Sequence, residues 1–263
     1  MADDVSSFWG PVTSTKEWCE LNYVRCSYFI SNVPCIILAL IGLVKALRQL
    51  FEKRFSVLHM SNIIISRGSM IYHATLRQMQ QQGDETPMVW EMLLYIYILY
   101  SPDWHYKSTM PTFLFLYGAV FADLRSQICF GIGFLLHYAL LCLLCVPRTY
   151  KYYGHTDDRS AKQLAKLCVA TLLVGAICWL CDHLFCKHIS QWYFNPQGHA
   201  LWHVRMGFNV YFANTFLMYC LAQQREWNPK IKPFLGFFPY VKIHKPKAQQ
   251  HKLLLRAQAV MAP

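Results

Sequence analysis

The run FISNVPCIILALIGLVKAL, residues 29–47, decides the class of fold. About 20 mostly apolar residues are enough to cross the hydrocarbon core of a bilayer as a helix, and this run meets that length. Six further runs of the same kind follow: Ser56 to Leu76, Met88 to Pro102, Met110 to Leu124, Cys129 to Val146, Leu164 to Phe185 and Leu201 to Ala222. The third and fourth are short. The seventh is rich in aromatic and polar residues, as expected of a helix that faces other helices as well as lipid. The sequence therefore predicts an all-α, seven-transmembrane helix bundle over residues 29–222, with an N-terminal segment 1–28 and a basic C-terminal tail 223–263. Seven spans leave little room for a separate soluble domain.

Composition agrees. Of 263 residues, 55% are hydrophobic, 16% aromatic and only 15% charged, where soluble domains carry about a quarter. A disordered chain is excluded, because such chains are poor in aromatics and rich in charge. The net charge of +11 falls in blocks between apolar runs, which is the distribution of a polytopic membrane protein and not of a nucleic-acid surface. Lys45, Arg48, Lys53 and Arg54 follow the first span; Arg148, Lys151, Arg159 and Lys162 follow the fifth; the tail adds Lys242, Lys245, Lys247, Lys252 and Arg256. These three blocks share one face, so the charge bias puts the C-terminus in the cytosol and the N-terminus in the lumen. The tail itself reads as a solvated or headgroup-facing charge run. Met1-Ala2-Asp3-Asp4 is acidic, unlike a cleavable signal peptide, so the first span is expected to act as the insertion signal.

Most of the eleven histidines need no function; His59, His105, His137 and His155 read as residues of span ends or loops. His199 and His203 are different. Their i,i+4 spacing puts both imidazoles on one helix face, where they can share one tetrahedral Zn²⁺. His73 ends the second span and His199 opens the seventh, so all three fall on the N-terminal side of the membrane and one metal can bind them. Three protein ligands leave a fourth position for water, the catalytic pattern. The bland reading is that these histidines hydrogen-bond between helices or sit at headgroup level. A rival metal set is Cys178, Cys181, Cys186 and His188, whose bland reading is cysteine as a small buried hydrophobe. Ser69 lies four residues before His73, on the same face. Asp84, in the polar loop Gln80 to Pro87, reads either as a cap at the start of the third span or as a carboxylate reaching a metal-bound water.

With these residues in view the chain resembles the alkaline ceramidases, and most closely their plant members. The likeness runs over nearly the whole chain. It is carried by Phe8-Trp9-Gly10-Pro11 with Glu17-Trp18-Cys19-Glu20, by Gly68-Ser69-Met70-Ile71-Tyr72-His73-Ala74, by Asp84-Glu85-Thr86-Pro87-Met88 and by Gly198-His199-Ala200-Leu201-Trp202-His203. The family belongs to a wider group of seven-helix intramembrane hydrolases that includes the adiponectin-type receptors. The resemblance implies an amidase that cleaves ceramide or phytoceramide to a sphingoid base and a fatty acid, in the endoplasmic reticulum or Golgi membrane. It implies Zn²⁺ on His73, His199 and His203, with Asp84 and Ser69 as catalytic residues beside it. It implies Ca²⁺ on Glu17, Trp18 (through its carbonyl), Glu20 and Asn22, residues that read by themselves as a solvated acidic turn. It also implies a disulfide between Cys19 and Cys186, which six spans place on the same face.

The chain departs from the family in two places. After Asn22-Tyr23 the family continues with a Tyr-Ile-Ala-Glu-Phe type of stretch; here Val24-Arg25-Cys26-Ser27-Tyr28-Phe29-Ile30 leads directly to Ser31-Asn32, with no carboxylate in place of the family's calcium ligand. The family also has an apolar residue at Arg67, where a guanidinium in a span costs about 2.5–3.5 kcal/mol on insertion scales and is expected to face the bundle interior or snorkel. Two other function classes stay open on the sequence: a seven-helix lipid receptor or sensor with little turnover, and a transporter with no metal. Membrane lipids are the expected surroundings, and nucleic acid is not an expected partner.

Overall fold

Pro34 falls at the start of the first long helix, where its missing N–H leaves no intrahelical bond unmade. The computed structural model describes residues 8–15, 19, 27–101, 110–127, 131–189, 191–192 and 195–244. Among them a single helical turn, α1 (Ser27–Ile30), leads into α2 (Val33–Arg48). There follow α3 (Lys53–Thr75), α4 (Gln78–Tyr100), α5 (Met110–Gln127), α6 (Gly131–His155), α7 (Arg159–Ile189) and α8 (Gly198–Gln224). Each of the seven long helices covers one of the seven apolar runs. Among the described residues three stretches are long and apolar enough to cross a membrane, Ser27–Arg48, Gly133–His155 and Arg159–Ile189, and Pro111–Leu124 is apolar but shorter. The helices α3, α4 and α8 carry many of the buried polar groups, among them His59, Ser69, Glu91, His199, His203 and Asn214. Those side chains dilute their hydropathy.

Helix α8 packs along α7 and α2, α3 lies between α2 and α4, and α4 also meets α5 and α6. Two of these contacts depend on glycine. A Cβ added at Gly207 of α8 would lie 2.7 Å from the Cys35 sulfur of α2. One added at Gly68 of α3 would lie 2.7 Å from the Gly83 carbonyl oxygen of α4. Pro87, four residues on from Gly83, has no N–H to bond that carbonyl within the helix. The oxygen is thus free to abut α3, and only a residue without a side chain lets it come so close.

Several expectations are corrected. The stretch Gln80 to Pro87 is not a loop but the first turns of α4, and Arg77, not Asp84, stands at the N-cap. Its polarity is internally matched: Gln81, fully buried, donates to Glu85 Oε1 at 3.0 Å and accepts from the Thr15 N–H at 2.9 Å and hydroxyl at 3.1 Å. His59 is not at a span end; it lies within α3 and is 1% exposed. Of the two placements expected for Arg67, the structure has the outer face of α3, from which a long side chain can snorkel. The first part of the tail is ordered. Strands β1 (Lys230–Phe234) and β2 (Phe238–Lys242) form an antiparallel hairpin whose connection carries Gly236 at φ 77°. The hairpin docks on the bundle: the Tyr211 hydroxyl donates to the Pro239 carbonyl at 2.8 Å, and Lys45 Nζ lies over the Phe234 ring at 3.8 Å.

Candidate active site

His73 occupies the last turn of α3, and His199 and His203 the first two turns of α8. The two helix ends meet. His199 Nε2 lies 3.2 Å from His73 Nε2. The ring centroids are 5.0 Å apart for His73–His199, 5.0 Å for His73–His203 and 4.4 Å for His199–His203. One nitrogen from each ring falls within 4.8 Å of the other two, and among the described residues this is the group of His, Cys, Asp or Glu donors close enough to hold a metal ion. The rival set around Cys178 does not converge in that way.

One pair of donors already has the spacing of a tetrahedral ion. Two nitrogens bound to one Zn²⁺ at 2.0–2.1 Å lie about 3.3 Å apart, close to the separation of the facing Nε2 atoms. The hydrogens of the His203 partners can be assigned so as to fix its tautomer. Its Nδ1 lies 2.8 Å from Ser31 Oγ and 3.1 Å from Asn32 Nδ2. The two amide hydrogens of Asn32 go to the Tyr28 carbonyl at 2.9 Å and to Ser69 Oγ at 3.2 Å, while the Ser31 hydroxyl hydrogen goes to the Tyr28 carbonyl at 3.0 Å. The imidazole therefore donates from Nδ1 to Ser31 and keeps a lone pair on Nε2 for a metal. The same network orients Ser69. Its oxygen accepts from Asn32, so its own hydrogen is available to an acceptor in the cavity.

Helix α8 has no capping side chain of its own at Gln197. The cap comes from α7. Asp182, 1% exposed, accepts from the backbone N–H groups of Gly198 and His199 and from that of Cys19 at 3.4 Å. It also takes the Tyr28 hydroxyl, at 3.2 and 3.3 Å. Gly198 is needed for this fit, since an added Cβ would lie 2.5 Å from the Cys178 carbonyl oxygen and 3.0 Å from Asp182 Cβ. Tyr28 in turn stands edge-on to His199 and His73, with centroids at 4.8 and 5.4 Å. One buried carboxylate thus fixes the helix end that carries His199 and the ring that packs on the histidines.

Below the histidines a cavity of about 360 Å³ is lined by Ser69, Asp84, His199 and His203 together with apolar residues of α3, α4, α6, α7 and α8. The structure therefore gathers five of the predicted site residues, since His73 joins through its contact with His199. The calcium candidates Glu17, Trp18, Glu20 and Asn22 lie outside the described residues. Cys19 and Cys186 are neighbours, with Cys19 Sγ 3.4 Å from the Cys186 carbonyl oxygen and both side chains present as thiols. Tyr28, Ser31, Asn32 and Asp182 were missed as site residues. For Asp182 the signal was a lone carboxylate in the apolar run of α7, a group that needs a stated partner in any spanning helix.

Fold and site define a helical, membrane-type protein with a buried three-histidine centre at the head of an apolar cavity. Comparison with known proteins narrows this. The Ceramidase family model matches residues 10–242. The alkaline ceramidase of Arabidopsis thaliana is 70% identical over 255 residues, covering 95% of this chain and 100% of that protein. Alkaline ceramidase 3 of Mus musculus is 26% identical over 261 residues, covering 91% and 96%. The alkaline ceramidase of Drosophila melanogaster is 26% identical over 249 residues, covering 87% and 84%. The chain belongs to the ceramidase family, and it is a hydrolase of that type.

Proposed function

We propose that this chain is a zinc-dependent intramembrane amide hydrolase that cleaves ceramide or phytoceramide into a sphingoid base and a fatty acid. The observation that carries the reading is the convergence of His73, His199 and His203 within 4.8 Å of one another above a cavity with an apolar wall. Family membership supports the substrate class. Bound Zn²⁺ would supply a water of lowered pKa and polarise the scissile carbonyl.

This chain's residues do the rest. His73, His199 and His203 hold the ion, with the His203 ring fixed through Nδ1 by Ser31. Asp84 orients the attacking water, takes its proton and returns it to the leaving amine. The Ser69 hydroxyl, oriented by Asn32, donates to the carbonyl oxygen as negative charge builds there. The apolar wall receives hydrocarbon chain and keeps bulk water away.

The seven long helices α2 to α8 are proposed to be the seven spans. Charge bias supports a lumenal N-terminus and a cytosolic C-terminus in the endoplasmic reticulum or Golgi. Cys19 and Cys186 would then lie in the lumen, where oxidation is permitted and their bond would tie the N-terminal segment to the end of α7. A calcium site on Glu17, Trp18, Glu20 and Asn22 is proposed to be weak, because no carboxylate follows Asn22 before Asn32. The test of the function is release of free fatty acid and sphingoid base from ceramide by the purified chain. Release by wild type and none by Asp84→Asn supports the reading; equal release by both defeats the assigned roles.

A further inference from the structure

The cavity beneath the histidines does not end on a purely apolar floor. Asn214 lies eleven residues after His203 on α8; at 3.6 residues per turn both lie within about 20° of one face, about 16 Å apart along the axis. Glu91 lies seven residues after Asp84 on α4, again within about 20° of one face. His59 lies fourteen residues before His73 on α3, within about 40° and about 21 Å away. The faces that carry the upper polar residues thus carry a second polar set deeper in the bundle, and all three of its members line the cavity. Between the two sets the wall is mostly apolar, with Ile65, Met88, Met206 and Val210, and Ser66 of α3 among them.

Glycine contacts show independently that the deep groups share one level. Gly207 of α8 abuts Cys35 of α2, and the same two helices pair one turn earlier through His203 and Asn32. Seven residues further along each, Asn214 comes level with Gly42. The His59 ring presses on Gly42, where no Cβ could be added. Glu91 accepts from Asn62 of α3. Asn214 and His59 are each 1% exposed. Neither the amide nitrogen nor the oxygen of Asn214, nor His59 Nε2, has a hydrogen-bond partner among the described residues. Buried polar groups are almost always hydrogen-bonded, so this end of the cavity is suited to an oxygen function brought in by what fills it. A methyl end would strand these groups.

We propose that the deep end of the cavity is a polar subsite that hydrogen-bonds a hydroxyl carried on the hydrocarbon chain of a lipid ligand. Asn214 offers that hydroxyl both a donor and an acceptor, and His59 Nε2 offers a third contact. The proposal rests on the reading that the cavity takes a lipid chain. It adds that the site sorts such chains by the polarity of their far end.

The test reads binding and needs neither metal nor turnover. Purified protein carrying a fluorescent fatty acid is titrated with saturated fatty acids of stepped length and with their ω-hydroxy counterparts. The expected result is a length at which the hydroxy acid binds about fivefold more tightly than the plain acid, the worth of one net hydrogen bond. That preference should vanish in Asn214→Leu and in His59→Phe, each of which is shown to be folded by retained binding of the plain acid. Equal affinity of the two acids at every length would mean that ordered water alone fills the deep end, and would overturn the proposal. So would a preference that survives unchanged in both variants. Binding of neither acid to wild type would sink the lipid-cavity reading as well, which separates the two failures.

Discussion

Asp182→Asn tests how the site is held together. The carboxylate collects the Tyr28 hydroxyl at 3.2 and 3.3 Å, the Cys19 N–H at 3.4 Å and the N–H groups of Gly198 and His199. Four donors on one side chain call for a group that only accepts. Asparagine keeps one oxygen and replaces the other with an NH₂ that faces donors, so about two of the four lose their acceptor. Hydrogen bonds to a charged group are worth about 1.5–3 kcal/mol. The long distances argue for the lower end, giving about 3 kcal/mol in all. For a chain of this size each kcal/mol moves the melting temperature by about 2–4 °C, so a fall of about 6–12 °C is expected in detergent micelles. The loss also frees the first turn of α8 and with it His199, so zinc affinity should drop about 10- to 100-fold, as for other residues that orient a metal ligand. Melting curves with and without zinc, and zinc retention against a competing chelator, read the two effects separately. A melting temperature unchanged within about 1 °C together with unchanged zinc affinity would refute the role given to Asp182.

The remaining predictions separate binding from chemistry. His203→Ala should lose metal and activity together, whereas Asp84→Asn should retain metal and lower kcat by about 100-fold or more, measured by metal analysis and turnover on the same samples. Gly68→Ala should force α3 from α4, because the new Cβ would lie 2.7 Å from the Gly83 oxygen. It should lower kcat/KM and the melting temperature together, while Gly154→Ala, where an added Cβ meets nothing within 4 Å, should leave kcat/KM unchanged. Burial pushes the Cys19 thiol up to about 12. In reduced protein Cys19 should therefore alkylate slowly at neutral pH and faster as the pH rises toward that value, as mass spectrometry can follow; in protein from an oxidising lumen, Cys19 and Cys186 should resist labelling until reduced.

How much was legible in the sequence depended on whether the signal was local. The apolar runs marked all seven long helices, and the i,i+4 pair His199 and His203 marked one face of α8 without help. Joining His73 to them needed only the parity of spans. The polar stretch Gln80 to Pro87 misled because its composition is that of a loop; it is helical because Thr15 and Glu85 satisfy Gln81 and because Gly68 accommodates the carbonyl that Pro87 leaves unpaired. As a lone carboxylate in an apolar run Asp182 calls for a partner, but it caps a helix it does not belong to, a relation set by packing and not by spacing. Taken alone, His59 reads as a span-end or loop histidine and Asn214 carries no signal of its own. Their meaning comes from sharing helix faces with His73 and His203, which only the assembled bundle makes evident.

On the proposed reading, one zinc held by His73, His199 and His203 makes this chain an amidase. The direct measurement is ceramide hydrolysis by purified, metal-stripped protein as Zn²⁺ is added back, with bound zinc counted on the same samples. Without zinc no fatty acid should be released, the rate should rise and saturate at one zinc per chain, and His203→Ala should show neither zinc nor rate. Full hydrolysis by the metal-stripped protein, or a folded chain that holds one zinc on these histidines and releases no fatty acid, would contradict that reading.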